Sequence, residues 1–147
     1  MSETAVKMSG ETGKHITFIA PDGVDRIAPS PEELRELLLN RGDDYWQADA
    51  GDAAIWYDRE DGSRSRLILV EDERHGFFLL YEAPDGDGGY LCPVEGQATD
   101  ETVTVYTGGE PMEVEARRFV SKEKAWETVE YFMQTGEANP KLNWEPW

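Results

Sequence analysis

The middle of the chain is a succession of short apolar runs, rich in β-branched and aromatic residues, that are separated by turn residues. The runs are residues 53–57, 66–70, 76–81, 90–92, 102–106 and 112–116, with turn signals such as Glu60-Asp61-Gly62 and Gly108-Gly109 between them. Runs of this length that recur about every 8–12 residues are typical of antiparallel strands. Residues 102–106 and 112–116 also alternate apolar with polar side chains, as half-buried strands do. The spacing therefore predicts an antiparallel β-sheet meander.

A hairpin and a helix are predicted before this meander. Residues 15–20 form a β-rich run that ends at the turn Pro21-Asp22-Gly23, and residues 24–28 can return as its hairpin partner. Ser30 can then cap a helix, because Pro31 suits the first helical position and Glu33 completes a capping box. The apolar stripe of this helix is Leu34, Leu37 and Leu38, and the helix ends at Arg41-Gly42.

A second helix is predicted between Ser121, a good N-cap, and Gly136. Its apolar residues follow a spacing of about 3.6 residues and are Ala125, Trp126, Val129, Phe132 and Met133. The expected fold is an α+β single domain, with an antiparallel β-sheet meander and an N-terminal and a C-terminal helix packed on the sheet. This domain spans residues 15–147, and residues 1–14 are interpreted as a disordered leader because they lack a periodic apolar pattern.

The charge of the chain excludes several classes of function. The sequence has 31 Asp and Glu against 14 Lys and Arg, which gives a net charge of −17. Such a surface repels phosphate, so we expect it to bind no nucleic acid and no anionic membrane. No apolar run approaches the roughly 18–20 residues that span a bilayer, and the first residues lack an apolar signal-peptide core. A cytoplasmic location is expected, and the acidity alone also fits a salt-adapted surface.

The residues that usually carry catalysis or hold metals are sparse. Cys92 is the single cysteine, so it forms no internal disulfide, and with two histidines it cannot complete a zinc cage. We expect Cys92 to be a buried, inert thiol, and His15 and His75 to be surface residues outside any catalytic motif. The acids near Gly86 lack the ligand order of a calcium-binding loop. The sequence therefore predicts a protein that is not an enzyme and needs no cofactor or metal.

The C-terminal segment carries a family resemblance. Residues 120–137 read VSKEKAWETVEYFMQTGE, and Leu142-Asn143-Trp144 follows. This pattern resembles the Imm1 family of immunity proteins, which accompany bacterial polymorphic toxins, among them nucleic-acid deaminases. The resemblance in sequence covers roughly residues 100–147. Before these residues, only the predicted architecture is similar. The resemblance implies a small α+β protein that neutralises a cognate toxin by occluding its active site, as a monomer or a 1:1 complex.

Two acidic segments with neighbouring aromatic residues are the predicted partner-binding sites. One is formed by Asp43, Asp44, Tyr45 and Trp46, and the other by Asp85, Asp87 and Tyr90. Tyrosine and tryptophan often anchor interfaces, and the acids would steer a basic toxin domain that acts on nucleic acid. Two other functions stay open: an acidic DNA-mimic inhibitor of a nucleic-acid enzyme, and a minor enzyme or ligand-binding protein with carboxylates in a pocket.

Overall fold

The strands and helices lie close to their predicted positions. A computed structural model describes residues 15–27, 29–49, 51–84, 89–97 and 99–147, so the predicted leader at residues 1–14 falls outside the described residues. The strands are β1 (Ile16–Ile19), β2 (Asp25–Ile27), β3 (Ala53–Asp58), β4 (Arg64–Asp72), β5 (Gly76–Glu82), β6 (Tyr90–Pro93), β7 (Thr102–Thr107), β8 (Glu110–Glu115), β9 (Phe119–Val120) and β10 (Trp144–Pro146). The helices are α1 (Pro31–Asn40), α2 (Asp43–Trp46) and α3 (Lys122–Thr135), with a 3₁₀ turn at Ala116–Arg118.

The main sheet is antiparallel, with strand order β10-β6-β5-β4-β3-β1-β2. Strand β5 pairs with β4 along its whole length, and its other edge is shared between β6 and β9. The prediction of an α+β domain with an antiparallel meander is confirmed. The last two predicted strands, β7 and β8, do not extend this meander, because they pair only with each other in a separate two-stranded sheet.

The main sheet is covered on both faces. Helices α1 and α3 pack on one face, where Leu38, Phe132 and Leu79 belong to a single buried cluster. The β7–β8 hairpin covers part of the other face, where Val105 and Val114 pack with Phe78. Strand β5 therefore buries its side chains on both faces, which explains why its sequence is a continuous apolar run.

The caps of the two long helices agree with the sequence analysis. Ser30 and Glu33 form the reciprocal capping box of α1, and Leu34, Leu37 and Leu38 are buried. Ser121 caps α3, which ends at Gly136 in a left-handed conformation with φ of 73°. Trp126 is only half-buried and packs at the border of the core. Among the described residues, none of the helices is both long enough and apolar enough to cross a membrane.

Candidate partner-binding cleft

A cleft of about 440 Å³ lies at the end of β4, where this strand extends beyond the residues that pair with β3. The pairing of β3 with β4 begins at Ala53 and Leu69, whereas β4 continues to Asp72. The segment between α2 and β3 therefore leaves the sheet beside the end of β4, and β7 packs against β4 from the hairpin. The lining includes Gln47, Asp49, Glu71, Asp72 and Tyr106. The cleft is thus built from three separate parts of the chain.

The two walls of this cleft are in direct contact at one end. Gly51 has a φ of +86°, and a Cβ at this position would lie 2.7 Å from the main-chain oxygen of Tyr106. The main-chain N–H of Gly108 donates a hydrogen bond of 3.1 Å to Asp52 Oδ1. Glycine at position 51 is therefore required for the close approach of the two walls.

Glu71 is the buried acid of the cleft, with only 2% of its surface exposed. Gln47 Nε2 donates to Glu71 Oε1 at 3.0 Å and to the main-chain oxygen of Glu71 at 3.3 Å. The other carboxylate oxygen, Oε2, is buried and has no hydrogen-bond partner among the residues that the structure describes. Burial raises the pKa of Glu71 to about 7; the Gln47 amide opposes this rise and the Asp43 carboxylate adds to it.

The first predicted segment lies beside this cleft. The carboxylate of Asp43 raises the pKa of Glu71 and also the pKa of Glu73, which lies in the turn between β4 and β5. Asp44 is exposed and pairs with Arg41 at 3.2 Å, and the guanidinium of Arg41 lies 5.0 Å from the centre of the Tyr45 ring. Three of the four predicted residues therefore lie at or near the surface next to the cleft, and their contact with a partner stays a prediction.

Trp46 is buried, unlike the other three residues of this predicted segment. Residues 43–46 form the short helix α2, and Trp46 is 1% exposed. Its Nε1–H donates to the main-chain oxygen of Leu37 at 2.9 Å, and its ring meets Phe77 edge-on with the ring centres 5.0 Å apart. Burial of the indole is favourable, because its N–H has a hydrogen-bond acceptor and its apolar surface packs against the core. Trp46 therefore holds α2 in place and presents no surface to a partner.

The second predicted segment does not join the first. Asp85 and Asp87 lie outside the described residues. Tyr90 is half-buried at the start of β6, and its hydroxyl accepts a hydrogen bond of 2.6 Å from Arg66 Nη2. Arg66 is five positions before Glu71 on β4, a separation of roughly 16 Å along the strand. Tyr90 thus belongs to another part of the surface than the cleft.

His75 was predicted to be a surface residue. It connects Asp72 of the cleft to Glu101, which precedes the hairpin. Its side chain is 20% exposed, and its Nδ1 lies 2.7 Å from Asp72 Oδ2. Its Nε2 lies 3.1 Å from Glu101 Oε2, just before β7. The hydrogen bond to Asp72 raises the pKa of His75; burial opposes this rise and the Glu101 carboxylate adds to it. The carboxylate of Asp72 is therefore already engaged, unlike Oε2 of Glu71.

None of the residues that line the cleft was predicted from the sequence as a site residue; they include Glu71, Asp72 and Tyr106. One signal could have found Glu71: it continues the alternation of the inward residues Leu67 and Leu69, so it stands where an apolar side chain is expected.

Within the described ranges, no group of three or more His, Cys, Asp or Glu is arranged to hold a metal ion. Burial raises the pKa of Cys92 to about 12, so this thiol is protonated at neutral pH.

Comparison with known proteins does not assign a family. No protein-family model matches the chain, and no curated protein matches it significantly. The resemblance to the Imm1 family therefore stays a prediction that rests on the C-terminal residues.

Proposed function

We propose that this chain is an immunity protein that binds a cognate bacterial toxin domain and blocks its active site. The observation that supports this function best is the cleft between α2 and the β7–β8 hairpin. Its lining carries the buried carboxylate of Glu71, the exposed carboxylate of Asp49 and, with 52% of its surface exposed, the aromatic ring of Tyr106. Acids around an accessible aromatic residue are suited to a basic protein surface.

The charge of the whole chain supports the same kind of partner. A toxin that acts on DNA or RNA needs cationic residues to hold phosphates, and a protein with a net charge of −17 is complementary to such a surface. Binding through these charges would cover the residues that the toxin uses for its substrate. The toxin domain is therefore a basic, nucleic-acid-acting protein, and the complex forms in the cytoplasm with one copy of each chain.

The concave shape of the cleft favours a toxin over the target of a DNA mimic. A DNA mimic must replace phosphates, which lie in regular rows along the duplex, by carboxylates at its surface. Here Glu71 is recessed, and Asp49 and Tyr106 line the same depression. A recess of this kind receives a side chain that protrudes from the partner.

Co-expression with the product of the adjacent gene tests this function. We expect a large secreted protein with a variable C-terminal domain, whose isolated domain arrests growth and co-purifies with this chain. Co-expression of the chain should restore growth, and the Glu36→Gln variant, altered on the exposed surface of α1, should restore it equally. Growth arrest that persists despite normal amounts of the folded chain would contradict the proposal. Stable capture of a DNA-processing enzyme in place of the toxin domain would instead support the DNA-mimic alternative.

A further inference from the structure

The cleft contains a buried carboxylate with one oxygen that receives no hydrogen bond from a donor of the fold. The Asp43 carboxyl group lies close enough to share a proton with Glu71, which raises the pKa of Glu71 further, and the ammonium group of Lys122 opposes this rise. Glu71 is 98% buried, yet its Oε2 accepts no hydrogen bond from the described residues. A buried carboxylate without a donor costs several kcal/mol or takes up a proton, and a cationic group that binds beside it would take the place of that proton. Gln47 holds the carboxylate in position through Oε1, and both residues line the cleft.

A smaller depression beside α3 serves as a comparison. Its buried polar residue is Asn139, which is 4% exposed. The Asn139 amide donates to Thr128 Oγ1 at 3.3 Å, and its carbonyl accepts from the N–H of Lys141 at 3.1 Å. Both ends of this side chain are satisfied within the protein, so this depression needs no ligand. Other buried atoms without a hydrogen-bond partner among the described residues belong to the guanidinium groups of Arg117 and Arg118, which lie beside the carboxylate of Glu115. Glu71 differs from them because its unsatisfied group is a carboxylate oxygen and the residue lines a cleft.

We infer that the cleft is the receptor for one arginine side chain of the protein partner, with the guanidinium paired to Glu71 and stacked on Tyr106. This inference rests on the proposed function for the existence of a basic protein partner. It adds the chemical identity of the group that is recognised and the residues that recognise it.

Arginine fits these residues better than lysine. The planar guanidinium has five N–H donors, so it can bond to Glu71 Oε2 while other donors reach Asp49. It is also weakly hydrated and stacks on aromatic rings, and the exposed ring of Tyr106 stands at the cleft. An ammonium group is a strongly hydrated point charge that gains less from entry into a recess. The charge of arginine would replace the missing partner of a carboxylate that is otherwise destabilising.

The inference can be tested with small probes and no partner protein. Amide resonances of the full chain are followed by NMR during titration with N-acetyl-argininamide at about pH 8, where Glu71 with a pKa of about 7 is largely ionised. N-acetyl-lysinamide is the basic control, and N-acetyl-citrullinamide has the same shape as arginine without its charge. Ionic strength is held constant. We expect saturable shifts at Gln47, Glu71 and Tyr106 with the arginine probe, weaker shifts with the lysine probe and none with the citrulline probe.

Glu71→Gln is the decisive variant, because it removes the charge and keeps the size of the side chain. We expect its affinity for the arginine probe to fall by about tenfold or more, whereas Glu36→Gln binds as the wild type does. Tyr106→Ala should weaken binding of the same probe without changing the cross-peaks of the core. Equal binding by wild type and Glu71→Gln, or shifts spread over the whole acidic surface, would overturn the inference. Equal affinity for the lysine and arginine probes would overturn the preference for arginine.

The outcomes separate this inference from the proposed function. If the arginine probe binds at Glu71 but no toxin is neutralised, the receptor is real and the proposed function is wrong. If the toxin is neutralised equally by wild type and Glu71→Gln, the function stands and the arginine receptor is wrong.

Discussion

Glu71 is a buried acid at a position of β4 where the alternation of the strand predicts an apolar residue. It follows the buried residues Leu67 and Leu69 on the same face of β4, and its partner across the sheet is the buried Phe77. Replacing a buried charge by a neutral group of similar size often stabilises a protein. A residue that lowers stability in this way is best explained by a function that needs its charge.

Removal of this charge is therefore expected to stabilise the chain. Because the pKa of Glu71 is raised from 4.5 to about 7, the folded state binds more protons than the unfolded state between these values. The free energy of unfolding of the wild type thus falls as the pH rises through this window. We expect Glu71→Gln to be the more stable protein, with a gain about 2 kcal/mol larger at pH 8 than at pH 5.5.

Urea denaturation of both proteins at the two pH values measures this gain. Glu36→Gln, at an exposed position of α1, is the matched control and should change the free energy of unfolding by less than about 0.5 kcal/mol. A Glu71→Gln protein that is less stable than the wild type at pH 8 would show that the carboxylate is satisfied within the fold.

The charged form of His75 stabilises the fold, whereas the charged form of Glu71 destabilises it. Its contacts with Asp72 and Glu101 raise its pKa above 6.5, so the folded state favours the charged imidazole. The resulting stabilisation is fully present below pH 6.5 and is lost as the pH rises through the folded-state pKa. His75→Gln should therefore lower the free energy of unfolding by about 1 kcal/mol at pH 5.5 and by less at pH 8. His15→Gln is the control, and an equal loss at both pH values for His75→Gln would refute the charged bridge.

The position of β9 depends on a close backbone contact with the start of β5. Strand β9 adds to β5 opposite Phe77 and Phe78, which brings the main chain of Val120 onto Gly76. A Cβ at Gly76 would lie 2.1 Å from the oxygen of Val120, and its φ is +100°. This contact fixes the start of α3, because Ser121 directly follows β9 and caps the helix.

Gly76→Ala should therefore destabilise the chain by more than about 3 kcal/mol. Gly62 provides a matched control in the turn between β3 and β4, with a similar φ of +90° and no atom near the added methyl group. Gly62→Ala should cost only the backbone strain of about 1–2 kcal/mol. Thermal unfolding of the two variants measures the difference, and equal melting temperatures would show that β9 can move away from Gly76 at little cost.

Local patterns were sufficient to predict most of these elements but not how all of them associate. The capping box at Ser30 and the apolar run of β5 are signals contained in a few neighbouring residues, and both were confirmed. The alternation in β7 and β8 predicts two strands, yet it does not say which sheet they join, since pairing depends on distant residues. Helix α2 has only four residues and exists because Trp46 is buried against Phe77. Such tertiary effects are not visible in a local pattern.

The same distinction applies to the cleft. Asp43 was predicted as a site residue because an acid beside aromatic residues is a local feature. Glu71 and Tyr106 are 35 positions apart in the sequence and become neighbours of one cleft only through the packing of the hairpin on β4. The sequence could predict the acidic charge of the proposed binding surface, whereas the recess required the three-dimensional fold.

At the scale of the whole molecule, the net charge of −17 should govern the rate of association with a basic partner. Electrostatic steering is screened over about 8 Å at physiological ionic strength, so the association rate constant should fall steeply between about 0.05 M and 0.5 M NaCl. The double variant Asp43→Lys/Asp44→Lys, next to the cleft, should slow association further at low salt. Asp85→Lys/Asp87→Lys tests the second predicted segment in the same way. Stopped-flow association that is equally fast for the wild type and both double variants would remove both segments from the interface.

The most direct test of the acidic cleft is the dissociation constant of the complex with the co-purified toxin domain. It should be measured for the wild type, Glu71→Gln, Tyr106→Ala and the control Glu36→Gln, all verified as folded by their thermal transitions. Central interface residues contribute about 2 kcal/mol or more, so we predict that each cleft variant binds at least about thirtyfold more weakly while the control is unchanged. Dissociation constants that agree among all four proteins would contradict the account, because the partner would then bind elsewhere on the surface.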